Sequence, residues 1–154
     1  MLINCVKVLF VSMLPVIELR GALPVALKLG VPLPIAFPVA ILGNLLPVPF
    51  ILLFFDKAKV WFRNWPVIGS IFAWVDKRAA AKAEKVKSLE FWSIVAFVAI
   101  PLPGTGAWTG AVIATALGMK LRKSICAIIV GVLIAGVVVS LVSYGLWDWI
   151  VSLF

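Results

Sequence analysis

The sequence predicts an all-α integral membrane protein made of two inverted repeats. Each repeat is a re-entrant helical hairpin followed by a transmembrane helix, and a basic amphipathic cytoplasmic helix joins the two. Three observations carry this expectation. The chain of 154 residues is 64% hydrophobic and only 13% charged, about half the charge of a soluble domain. It holds uncharged runs of membrane-spanning length, since about 20 apolar residues cross a bilayer. Two of its apolar stretches are broken by proline, glycine or charge at corresponding places, the pattern of a midplane transport site in inverted repeats.

Such a chain has room for one membrane domain, residues 1–154, and no separate soluble one. It divides into a first hairpin plus helix (1–55), a connector (56–90) and a second hairpin plus helix (91–154). The net charge of +8 does not point to nucleic acid. Eight of the 14 basic residues fall in the connector, namely Lys57, Lys59, Arg63, Lys77, Arg78, Lys82, Lys85 and Lys87, as the positive-inside rule distributes them. Trp61, Trp65, Trp92, Trp147 and Trp149 sit where interfacial belts are expected.

Taking the elements in order, residues 8–17 are uncharged. Glu18-Leu19-Arg20-Gly21-Ala22-Leu23-Pro24 follows, then apolar residues to Gly30. Each side of the charged segment is about ten residues, or about 15 Å of helix, half of a 30 Å hydrocarbon core. Glu18 and Arg20 interrupt this stretch, which with the late Lys7 and the lack of a small-residue cleavage site argues against a signal peptide. Leu29–Phe55 is uncharged over 27 residues and long enough to span. Its Pro32, Pro34, Pro38, Pro47 and Pro49 predict a kink or an irregular start. In the connector, Phe72, Val75, Ala79, Ala83, Val86 and Leu89 recur at spacings of three and four. They predict an amphipathic helix on the cytoplasmic membrane surface.

The 29 uncharged residues Phe91–Met119 contain Pro101-Leu102-Pro103-Gly104-Thr105-Gly106-Ala107-Trp108-Thr109-Gly110. Pro101 and Pro103 remove backbone donors, and Gly104 and Gly106 weaken the helix further. Freed backbone groups at membrane depth need protein or a water-filled cavity around them, so the break is expected inside the protein. Lys120, Arg122 and Lys123 then make a basic turn. If this turn and the connector are both cytoplasmic, residues 91–119 enter and leave on one side. Ser124–Trp147, 24 uncharged residues, forms the second span, with Gly131, Ala135, Gly136 and Ser140 as a close-packing face. A shift of 88 aligns Pro15 with Pro103, Ala26 with Ala114, Leu29 with Leu117 and Gly30 with Gly118. It also aligns Leu33 with Leu121, Gly43 with Gly131 and Leu45 with Leu133.

Glu18 and Arg20 are the candidate functional charges, because ionisable groups at membrane depth are costly. Two residues apart, they do not share a helix face. Either the backbone unwinds there, helped by Gly21 and Pro24, or the two side chains address different partners. They brace the two hairpin tips, or Arg20 offers its planar fork of donors to a phosphate or carboxylate and Glu18 exchanges a proton. The helix expected from near Ala107 points free amides into the break, which favours anions. Thr105 and Thr109 add hydroxyls, and Trp108 packs or stacks on a ligand. Catalysis has no support: no nucleophile sits beside a base, and there is no histidine. No cofactor or metal is expected. Cys5 and Cys126 read as buried free thiols.

The segments Glu18–Pro24 and Pro101–Gly110 together resemble the small multi-drug export proteins, related to the DedA superfamily. The resemblance covers nearly the whole chain. It implies a small multi-pass transporter of the prokaryotic cytoplasmic membrane, working as a homodimer among membrane lipids, with Glu18 and Arg20 at the family's first-hairpin charges. The DedA relatives imply flipping of polyprenyl lipid phosphates and proton coupling. Their second-hairpin arginines have no counterpart between Arg78 and Arg122. The expected function is secondary transport of an anionic amphiphile. Export of organic cations at Glu18, and a non-transporting membrane scaffold, are the alternatives.

Overall fold

The computed structural model describes residues 1–62, 85–102 and 105–145. Among these the chain forms helices and connecting turns, with no strand. Residues 63–84, which hold most of the predicted amphipathic connector, lie outside the described residues, as do Pro103, Gly104 and the tail from 146.

The elements are α1 (Leu2–Met13), α2 (Glu18–Lys28), α3 (Leu33–Leu45), α4 (Val48–Phe62), α5 (Lys85–Ala99), α6 (Ala107–Ala116) and α7 (Leu121–Ser140). A π-helical turn, Leu141–Gly145, continues α7. Two stretches are long and apolar enough to cross a membrane: Leu33–Phe55, 23 residues, and Leu121–Gly145, 25 residues. The first is interrupted by a turn at residues 46–47. Pro47 and Pro49 have no N–H to give the carbonyls four residues back, which is the kink the prolines predict. Pro32 caps α3 in extended conformation. The helices α1, α2 and α6 are 12, 11 and 10 residues long, about 15–18 Å each, too short to span alone.

These short helices come in pairs whose outer ends meet. Asn4 Nδ2 donates to the Leu29 carbonyl at 3.0 Å, joining the start of α1 to the end of α2. Lys123 Nζ lies 4.0 Å from Glu90 Oε2, joining the start of α7 to the early part of α5. In each helix–break–helix unit a side-chain contact thus joins the early part of the first helix to the segment that follows the second.

The two units also close alike. Val31 N–H donates to Ala26 O and Gly30 N–H to Leu27 O. At the same shift of 88, Met119 N–H donates to Ala114 O and Gly118 N–H to Thr115 O. Gly30 and Gly118 have φ of +68° and +71°, the left-handed helix stop that glycine takes without strain. Leu33 and Leu121 then begin α3 and α7.

Close packing uses the small residues. A Cβ on Gly43 would meet the Leu9 carbonyl oxygen at 2.5 Å, and one on Gly131 would meet Val98 Cβ at 2.7 Å. Gly43 lets α3 lie against α1, and Gly131 lets α7 lie against α5, as small-residue contacts do in membranes. Ser124, Ala127, Gly131, Ala135 and Ser140 are buried along α7, which touches α2, α3, α4, α5 and α6. Cys126 sits on the opposite, exposed face and Cys5 is half-buried. This corrects the expectation of two buried thiols. Cys126 lies two positions from Ser124 on α7, and that step points it away from the core face.

Candidate functional site

The first break falls at residues 14–17, where Pro15 stands, and not across Glu18–Pro24. Glu18 is the first residue of α2, and Arg20, Gly21 and Pro24 are inside that helix. Glu18 carries a left-handed φ of 51°, a strained conformation for a residue with a side chain. Such outliers concentrate where function requires them. The strain sits where the chain turns from the break into α2, which is why the helix can restart there without unwinding at Gly21.

The two charges do go to different partners. The Arg20 guanidinium donates to three carbonyls of the other unit: Ile100 at 2.9 Å, Val98 at 3.3 Å and Leu102. These acceptors end α5 or follow it, where helix carbonyls lack intrahelical donors and the dipole is negative. The Glu18 carboxylate accepts from the Trp108 N–H at 3.3 Å, in the first turn of α6, where amides are free and the dipole is positive. One pair of opposite charges thus caps both ends of the second break.

Gly106 makes this possible. A Cβ there would overlap the Glu18 carboxylate. The Trp108 indole N–H completes the junction by donating to the Met13 carbonyl at 3.2 Å, at the end of α1. Thr105 Oγ1 holds the break from within, its single proton shared between the carbonyls of Ile100 and Leu102 at 2.8 and 2.9 Å. Gly110 is buried against Val98, so it serves helix contact. Thr109 is exposed on α6 and Pro101 is exposed in the break. Pro103 and Gly104 lie outside the described residues.

Residues 18–138 match the family described as "Putative small multi-drug export protein", a match that begins at Glu18 and runs through most of α7. The chain belongs to that family. With its two apolar spans it is a helical membrane protein. No curated protein and no solved structure matches it.

Two polar residues at membrane depth escape the motif reading. Asn44 in α3 and Ser140 in α7 are buried, and the Asn44 amide oxygen and the Ser140 hydroxyl have no hydrogen-bond partner among the described residues. A lone amide in the uncharged Leu29–Phe55 run was a readable signal for Asn44.

Proposed function

We propose that this export-family protein is a small secondary transporter of the cytoplasmic membrane that moves an anionic amphiphile, such as a polyprenyl lipid phosphate, past the junction of its two breaks. One observation carries the reading: the first turn of α6 already cradles an oxyanion, the Glu18 carboxylate, beside Arg20 on the same break. A phosphate headgroup has the same acceptor chemistry and higher charge. It replaces Glu18 on the α6 amides when the tips part, and Arg20 supplies the permanent counter-charge. Glu18, once released, is the proton-exchanging group that couples the step to the gradient.

The meeting of Asn4 with Leu29 and of Glu90 with Lys123 supports units that enter and leave the bilayer on one side. The basic residues Lys120, Arg122 and Lys123, which the structure places at the N-cap and in the first turn of α7 and not in a separate turn, favour the cytoplasm for the second unit. The first unit then dips from the opposite face, as inverted repeats do. The resemblance of the two motifs to DedA proteins fits this reading, as does a homodimer that encloses more volume than these short elements can.

A specific observation favours a second reading. All three Arg20 acceptors belong to the protein itself, which leaves Glu18 as the exchangeable charge and an organic cation as cargo. Binding of a polyprenyl phosphate and of a lipophilic cation to wild type, Glu18→Gln and Arg20→Lys separates the two. Removing the internal competitor in Glu18→Gln is expected to tighten phosphate binding several-fold. Loss of the bidentate fork in Arg20→Lys is expected to weaken it by about tenfold. Cation binding that Glu18→Gln abolishes, with no phosphate binding to any variant, would establish the second reading instead.

A further inference from the structure

A cavity of about 540 Å³ opens between the start of α3 and the end of α7, lined among others by Pro34, Phe37, Pro38, Val137, Ser140 and Tyr144. Its volume lies within the about 300–1,000 Å³ of small-molecule sites. It stands at the far end of α2 from Glu18, because the Tyr144 hydroxyl donates to the carbonyl of Val31, just past that helix, at 3.0 Å. The charged pair of the junction has no part in it, and among the described residues no charged side chain lines it.

Its polar groups are few and unusual. Ser140 is 6% exposed and its hydroxyl has no partner among the described residues, an uncompensated cost in an apolar setting. Pro38 has no N–H to give the Pro34 carbonyl four residues back, so that carbonyl is without its helical donor. Immediately after Ser140 the helix widens into the π-helical turn Leu141–Gly145, a feature common at functional sites. Pro34, Pro38, Val137 and Leu141 are exposed. Since α3 and α7 carry the two apolar spans, that open side faces lipid.

Depth selects the occupant. Ser140 is five residues, or about 8 Å, from the end of the Leu121–Gly145 span. The span measures about 37 Å against a hydrocarbon core of about 30 Å. The hydroxyl therefore lies close to the boundary where glycerolipid ester carbonyls sit. We infer that this cavity is a lipid site that takes one acyl chain of a glycerolipid, with the chain against Phe37 and Val137 and its ester carbonyl accepting the Ser140 hydroxyl proton. The inference rests on the membrane placement of the two spans and not on the cargo assigned to the junction.

The test reconstitutes the full chain in vesicles of phosphatidylcholine carrying a photoactivatable diazirine near the ester end of one acyl chain, and maps the adducts by mass spectrometry. Adducts are expected to concentrate at 33–38 and 137–145. Ser140→Ala is expected to lower their yield about fivefold, the worth of one neutral hydrogen bond. Val137→Trp, at an exposed position that tolerates bulk, is expected to fill the cavity and abolish them. Labelling spread equally over exposed positions such as Phe10, Phe50 and Phe54 would reveal only the annular lipid and overturn the inference. A yield unchanged in both variants, or cross-links to a second copy of the chain at these positions, would overturn it too.

Discussion

The two breaks of this molecule are built alike and equipped differently. At a shift of 88, Glu18 and Arg20 of the first unit correspond to Gly106 and Trp108 of the second. Arg20 reaches across to the carbonyls that end α5, and Trp108 reaches back to the carbonyl that ends α1. Equivalent positions thus do equivalent work, with a charge on one side and an indole on the other. The break is unequal at the remaining pair: Glu18 brings a carboxylate, and Gly106 provides the space that receives it. The difference teaches that the charges belong to one half and the vacancy for them to the other, so neither motif has its meaning alone.

This asymmetry predicts an order of mutational effects. The largest falls on the vacancy. Gly106→Ala forces its Cβ onto the Glu18 carboxylate and is expected to cost about 3 kcal/mol, the upper range for overpacking, measured by reversible unfolding in mixed micelles. Arg20→Ala comes next. It strips the guanidinium from three carbonyls and is expected to cost about 2 kcal/mol, since hydrogen bonds to charged groups are worth about 1.5–3 kcal/mol. Trp108→Phe keeps the ring but loses the bond to Met13. An expected cost of about 1 kcal/mol sharpens the comparison, because the indole should matter less than the guanidinium at the equivalent place. The smallest difference tests the likeness itself. Gly30→Ala and Gly118→Ala meet open space at nearly the same positive φ. Each is expected to cost about 1 kcal/mol, and a gap between them beyond about 0.5 kcal/mol would break the equivalence of the two turns.

Much of this plan was readable before any coordinates, because it is local. Proline and glycine punctuate the chain, so the start of α6 near Ala107 and the interruption of the proline-rich Leu29–Phe55 run followed from residue type. The faint repeat was informative where backbone geometry, not hydrophobicity, selects the residue. Gly30 and Gly118 share a left-handed turn, and Gly43 and Gly131 share a close helix approach. The destination of the charges was not readable. Arg20 and its acceptors are 78 to 82 positions apart, and Glu18 and Trp108 are 90 apart. No periodicity records which carbonyl or amide a side chain will meet across such a gap. The exact seat of the first break was missed for a related reason. Gly21 and Pro24 looked like the breakers, but a proline can be carried within a helix in a packed setting, and the left-handed Glu18 absorbed the turn.

The central claim is that the carboxylate of the first unit occupies the space left by the glycine of the second. A double-mutant cycle of Glu18→Ala and Gly106→Ala, followed by unfolding in mixed micelles, tests it most directly. If the two meet as described, removing the carboxylate makes room for the new methyl group. Gly106→Ala should then be milder by about 1–3 kcal/mol in the Glu18→Ala background than alone, the range seen for residues in contact. Effects that simply add, within about 0.5 kcal/mol, would mean that the two residues do not touch and would contradict the account.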